Sequence, residues 1–311
     1  MRNIRIYITA VVISVASVGA FISLGTTRSH GQSQKPKADT GVKPTVLLTD
    51  RPASDRAPVT NNAAPSIFAT AASQNSTLRN ELIWAFGSKQ QHGWYLYDAL
   101  LAQLLKTPAE GTSADFAAAL AGWQKTSGLT PNGILDEQSL MAVISGWQSN
   151  RLKDRTPAQP DQLMTAPSAD FFDPARRPEL RQMTPETYAA YKRMIAAAIA
   201  DPSLKLAHTT NNEMAPDEKF LKVVSAFRSA EYQDELRRKS PNAGSAGLAT
   251  HSPHFTGRAL DLYVGGDPVD TKDANRAIQV NTPAYKWLVR NAASFGFRPY
   301  FYEPWHWEYV K

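Results

Sequence analysis

Two short stretches near the C-terminus carry the side chains best suited to metal chemistry. HSPHFTGRALDLYV contains His254 and Asp261, and EPWH contains Glu303 and His306. Zinc binds imidazole nitrogen and carboxylate oxygen, and a catalytic zinc site uses three protein ligands and leaves the fourth position for water. The chain has no cysteine, so thiolate ligands, thiolate nucleophiles and disulfides are excluded. Two histidines and one carboxylate give a full ligand set for a hydrolytic zinc site.

Glu303 and Arg228 are candidates for the two other groups that hydrolysis needs. Attack by water requires a base that takes a proton, and the oxyanion that develops on the carbonyl requires a nearby cation. Glu303 is the spare carboxylate, three residues before His306. Arg228 ends the apolar stretch KVVSAFR, a predicted strand. We therefore expect Glu303 to act as the general base and Arg228 as the stabilising cation.

The elements that must position these residues follow from capping and periodicity. Helices are predicted over 184–200, with Thr184 as N-cap and Pro185 first, over 229–239, and over 282–296, closed by Gly296. Strands are predicted over 220–227, over 259–264, and in the last stretches RPYFYEP and HWEYVK. Helices and strands without regular βαβ repetition indicate an α+β fold with a small antiparallel sheet flanked by helices.

Three motifs in this region resemble those of a known family. SPHFTGRALD fits Ser-x-His-x-x-Gly-x-Ala-x-Asp at every fixed position, EPWH fits Glu-x-x-His, and SAFRSAEYQ resembles a Ser-Gly-Tyr-Arg-Ser stretch followed closely by Gln. Roughly residues 180–311 thus resemble the zinc D-Ala-D-Ala carboxypeptidases, which are LAS-type metallopeptidases, and most closely the vancomycin-resistance type of D,D-carboxypeptidase. The motifs occur in the order that the family has.

The resemblance implies a role for each of seven residues. It makes His254, Asp261 and His306 the Zn²⁺ ligands, Glu303 the general base, Arg228 the group that stabilises the oxyanion or orients the substrate, and Ser252 and Gln233 residues of the substrate pocket. The implied reaction is removal of the terminal D-Ala from peptidoglycan stem peptides. A zinc endopeptidase that cuts within these peptides, and a non-catalytic wall-binding protein, are the alternatives.

The catalytic domain is predicted to span residues 169–311. The part of the chain before it predicts a small helical module over 78–150. WYLYDALLAQLLK, SADFAAALAGWQKTSG and SLMAVISGWQ have apolar residues at helical spacing. Trp123-Gln124, Gly128-Leu129 and Asn132-Gly133-Ile134 resemble the three-helix peptidoglycan-binding repeat. The alternative is a three-helix spacer. A connector over 151–168, with several Pro and Gln residues, leads to the catalytic domain.

The N-terminus predicts export. Two arginines precede an uncharged run from Ile6 to Thr27, long enough to cross a bilayer as a helix. Residues 1–28 are therefore predicted to be a membrane anchor or a cleaved signal peptide, with the rest of the chain outside the cytoplasm. The following residues, 29–77, are rich in Pro, Ser, Thr, Ala and Asn and predict a disordered linker.

The charge of the chain agrees with an anionic partner without identifying it. The net charge is +6 and the pI about 9.4, which suits nucleic acid, an anionic membrane surface or a polyanionic wall. No nucleic-acid-binding motif accompanies the charge, and export argues against such a partner. We expect peptidoglycan as the partner, and the membrane through the anchor.

Overall fold

The computed structural model describes residues 67–239 and 251–310. Its α-helices are α1 (Ala69–Glu81), α2 (Asp98–Leu105), α3 (Ala114–Thr126), α4 (Glu137–Ser149), α5 (Pro185–Ile199), α6 (Ala230–Lys239), α7 (Asp273–Asn281) and α8 (Pro283–Asn291). Its strands are β1 (Ile83–Phe86), β2 (Lys89–His92), β3 (Met164–Thr165), β4 (Gln182–Met183), β5 (Val223–Ser225), β6 (Ala259–Leu262), β7 (Phe297–Tyr300) and β8 (Glu303–Tyr309). The α+β class predicted from the sequence is confirmed.

A four-stranded antiparallel sheet with the order β5-β6-β8-β7 forms the centre of the C-terminal domain, which is the predicted catalytic domain. All four residues of β6 are buried, and β8 is buried from Glu303 to Glu308. Residues of a strand alternate between the two faces of the sheet, so these two strands are covered on both faces. Any polar side chain on β6 or β8 therefore lies in the protein interior.

The predicted elements of this domain are present, with shorter boundaries. The predicted helices correspond to α5, α6 and α8, and Thr184 caps α5 by accepting a hydrogen bond from the Thr187 N–H. The strand predicted over 220–227 is reduced to β5, because Leu221 has a left-handed φ of 65° that interrupts the extended chain. The last turn of the helix predicted over 282–296 is a 3₁₀ turn that ends at Gly296.

The helical module contains α1 to α4 and the β1–β2 hairpin. The predicted helices correspond to α2, α3 and α4, and Ser113 caps α3 by accepting a hydrogen bond from the Phe116 N–H. Helix α1 begins at Ala69, so the predicted linker, 29–77, extends too far at its end. This helix is polar, so its sequence shows little of the apolar periodicity that predicts a helix. Its buried Asn75 holds it in place by donating to the Gly133 carbonyl (2.9 Å) and accepting from the Leu135 N–H (2.8 Å).

Gln124 explains the spacing of the repeat-like motif in this module. Its side chain is fully buried and holds the turn after α3: it accepts from the Gly133 N–H (2.8 Å) and donates to Asn132 Oδ1 (3.1 Å) and to the Ile134 carbonyl (3.0 Å). One glutamine thereby satisfies polar groups of three consecutive residues. The resemblance to a peptidoglycan-binding repeat stays a prediction.

The module and the catalytic domain share one interior. The described residues belong to a single compact unit, Asn61–Lys311. Phe301, in the β7–β8 turn, has its ring 4.8 Å from that of Phe86 and 6.1 Å from that of Trp147. In the part of the chain that the structure describes, no helix is long and apolar enough to span a bilayer. The predicted anchor, 1–28, lies outside these residues.

Candidate metal centre

The three predicted ligands converge at the middle of the sheet. Asp261 on β6 and His306 on β8 are directly opposite each other in the strand register, and His254 comes from the 3₁₀ turn that precedes β6. Asp261 Oδ1 lies 2.9 Å from His306 Nδ1 and 3.2 Å from His254 Nε2, and the two nitrogens are 3.2 Å apart. All three side chains are buried. This is the group that could hold a metal ion.

The second nitrogen of each imidazole is bound by an acceptor. His254 Nδ1 lies 2.6 Å from the Ala226 carbonyl, and His306 Nε2 lies 3.3 Å from Glu308 Oε1. A carbonyl or a carboxylate can only accept, so these two nitrogens carry the protons. His254 Nε2 and His306 Nδ1 are then the coordinating atoms, and metal-bound histidines usually donate their other N–H in this way.

The electrostatics of the group favour positive charge near Asp261. Burial and then the Arg228 charge lower the pKa of His254 to about 4. Burial disfavours protonation of His306 too, but its bonds with the Asp261 and Glu308 carboxylates raise its pKa to about 9. The Asp261 and Glu308 carboxylates bury negative charge beside His306. Either a second proton on His306 or a divalent ion would compensate this charge. The donor set, two nitrogens and one carboxylate oxygen, fits zinc.

Glu303 lies beside the ligands without belonging to them. It begins β8 at an irregularity in the β7–β8 register, and its Oε2 is 4.0 Å from His306 Nδ1. Its side chain is buried, and this burial raises its pKa to about 7, although the neighbouring His306 favours the charged form. A buried carboxyl group that readily exchanges a proton near neutral pH suits a general base.

Arg228 directly contacts Asp261, one of the predicted metal ligands. Its Nη2 donates to Asp261 Oδ2 at 2.5 Å, its Nε donates to Ser225 Oγ at 3.0 Å, and its Nη1 donates to Gln233 Oε1 at 3.4 Å. The ion pair occupies the oxygen of Asp261 that does not face the histidines. In this structure Arg228 therefore orients Asp261, a predicted ligand, and the oxyanion role expected from the sequence stays a prediction.

Two comparisons with known proteins cover the part of the chain that contains this site. Residues 181–311 match the family model VanY, described as D-alanyl-D-alanine carboxypeptidase. This match covers the part of the chain that carries His254, Asp261, Glu303 and His306, called the VanY-like domain below. No curated protein matches. A solved structure of the LdcB LD-carboxypeptidase, described as revealing the molecular basis of peptidoglycan recognition, is 23% identical; the match covers 50% of this chain and 71% of that chain, with a TM-score of 0.34.

The two predicted substrate residues, Ser252 and Gln233, lie next to the polar centre of the VanY-like domain. Ser252 Oγ accepts from the His254 N–H at 3.3 Å and begins the turn that carries this histidine. Gln233 projects from α6 to Arg228. Both side chains are buried. Their contacts in this structure are thus with other residues of the site.

The motifs in the sequence did not indicate Glu308, which lies in the VanY-like domain two residues after His306. Alternate residues of a strand point to the same face, so a strand predicted for HWEYVK could have indicated that Glu308 lies beside His306. The stronger evidence is structural: Glu308 is fully buried and bonds to His306 Nε2. A buried carboxylate needs such partners.

Gly257 is a fixed position of the family motif and ends the turn that carries His254. Its substitution tests whether this turn needs its present backbone conformation. The φ of Gly257 is 65°, and an added Cβ would lie 2.7 Å from Leu163 Cδ2 and 3.2 Å from the Thr184 nitrogen. We expect Gly257→Ala to lower the free energy of unfolding by about 1–3 kcal/mol, from backbone strain and crowding. Urea denaturation measures this loss.

Gly146→Ala is the matched control, because that glycine lies within α4 and an added Cβ meets no atom within 4 Å. This variant should be as stable as the wild type, or up to about 1 kcal/mol more stable. Equal stability of Gly257→Ala and the wild type would contradict the steric account.

Proposed function

We propose that the protein is a zinc-dependent D-alanyl-D-alanine carboxypeptidase that removes the terminal D-Ala from peptidoglycan stem peptides. One observation carries the proposal: in the VanY-like domain, His254, Asp261 and His306 converge, with the other nitrogen of each imidazole already bound to an acceptor. That arrangement leaves one nitrogen of each ring for a metal ion.

The chain's own residues supply the proton transfers. Bound zinc would lower the pKa of a water molecule and polarise the peptide carbonyl. Glu303, whose Oε2 lies 4.0 Å from His306 Nδ1, takes the proton from the attacking water. The same carboxyl group then gives the proton to the amine of the departing D-Ala. The tetrahedral carbon loses its bond to that amine, and a shortened peptide with a new carboxylate remains.

Arg228 and two neighbours hold the substrate in the proposed reaction. Arg228 keeps Asp261 in position through Nη2, and its remaining N–H groups stabilise the oxyanion or the substrate carboxylate. Ser252 and Gln233 form part of the substrate pocket; their bonds with His254 and Arg228 support this.

The proposed substrate also sets the location. Peptidoglycan lies outside the cytoplasm, so its peptidase must be exported. The arginines and the uncharged run of residues 1–28 would direct that export, and the helical module would hold the enzyme on the wall polymer.

The activity is tested with the full chain on muropeptides that end in D-Ala-D-Ala. The protein is incubated with Zn²⁺ or with a chelator, and the products are identified by mass spectrometry. We expect zinc-dependent loss of a single terminal alanine. Cleavage within the stem or at a cross-link would instead identify an endopeptidase, and zinc binding without cleavage would identify a wall-binding protein.

The Glu303→Gln variant tests whether Glu303 acts as the general base and is not needed as a metal ligand. The amide keeps the size of the side chain but cannot take a proton, so we expect kcat to fall by about 10²–10⁴-fold while one zinc ion stays bound. Zinc content is measured by mass spectrometry of the native protein. Glu137→Gln, an exposed change in α4, should leave kcat unaltered. Near wild-type turnover in Glu303→Gln would refute the assignment.

A further inference from the structure

We infer that the connector upstream of the VanY-like domain is part of its metal centre, and that Arg151 is a positioning residue that acts through Glu308 on His306. The inference rests on the metal site of the proposed function. It concerns residues that lie outside the family match, which begins at residue 181.

Glu308 has most of its polar partners in the connector. It is fully buried, and its Oε1 accepts from His306 Nε2, from Arg151 Nε at 3.1 Å and from Arg151 Nη2. Its Oε2 accepts from the Leu152 N–H at 2.9 Å, and Arg155 Nη2 lies 3.6 Å from Oε1. Two arginines and a backbone N–H from the connector thus fix the carboxylate that His306 bonds to.

This arrangement controls which nitrogen of His306 faces the metal ligands. A carboxylate on the far nitrogen fixes the tautomer and the orientation of the ring, and it makes the near nitrogen a stronger donor. Arg151 also lies over the Tyr300 ring, 3.8 Å from its centroid, and Tyr300 packs edge-on against the His306 ring. Arg151 therefore also packs on a neighbour of His306, beside its hydrogen bonds with Glu308.

The same connector holds the other histidine. The Ala158 N–H donates to the Phe255 carbonyl at 2.8 Å, inside the turn that carries His254. Leu163 packs against Gly257 at the end of that turn. The segment from Arg151 to Leu163 consequently contacts both structures that carry the predicted imidazole ligands, the His254 turn and strand β8.

The test is a double-mutant cycle on Zn²⁺ affinity in the full chain, measured by competition with a chromogenic chelator. The variants are Arg151→Ala, Glu308→Gln and the double variant. Loss of such an outer partner typically weakens metal binding by about 10–100-fold, and we expect this for each single variant. The double variant should bind Zn²⁺ at least as tightly as the single variant that has the lower affinity, because Arg151 acts through Glu308.

Arg79→Ala is the matched control. Arg79 forms a partly exposed ion pair with Asp98 within the helical module, so its loss should change zinc affinity by less than about twofold. Arg151→Lys, which retains the charge but not the forked donor, keeps the test valid if Arg151→Ala does not fold. We expect intermediate affinity for it. The visible spectrum of the Co²⁺-loaded Arg151 variants should also shift, because it reports the geometry of the ligands.

The outcomes separate this inference from the proposed function. If the wild type binds zinc, and Arg151→Ala and Arg151→Lys bind it equally well, only the inference is overturned. It is also overturned if Arg151→Ala weakens binding as much in the Glu308→Gln background as in the wild type. A wild-type chain that binds no zinc would overturn the metal site and the inference together.

Discussion

The opposition of Asp261 and His306 on two buried strands is the constraint on which the rest of the site depends. A carboxylate in the middle of a sheet is costly unless it is paired and hydrogen-bonded. Asp261 meets this requirement with two imidazoles on one oxygen and Arg228 on the other. A metal ion between the nitrogens and that oxygen would compensate the same charge, so a stable core and a catalytic centre call for the same residues.

That constraint extends outward in layers of hydrogen bonds. His254 is held by the Ala226 carbonyl and His306 by Glu308, which in turn needs Arg151 and the Leu152 N–H. Each layer satisfies a polar group that the previous layer buries. The helical module and the connector therefore meet the catalytic domain through a polar network as well as through the aromatic cluster around Phe301.

The sequence predicted the parts of the site that short motifs carry. His254, Asp261, Glu303 and His306 could be named because they stand in short motifs that resemble those of a known family. Arg151 and Glu308 could not be paired, because they are 157 residues apart and meet only through tertiary packing. The α+β class and most helices followed from caps and periodicity, whereas α1 and α7 are polar segments whose stability comes from specific buried bonds.

X-ray absorption spectroscopy at the zinc edge, on the full chain with one equivalent of Zn²⁺, tests the central claim most directly. The account predicts a first shell of nitrogen and oxygen atoms at about 2.0–2.1 Å, with the outer-shell scattering of two imidazole rings. A spectrum with one imidazole or none would contradict the assignment of His254 and His306 as ligands, and with it the proposed chemistry.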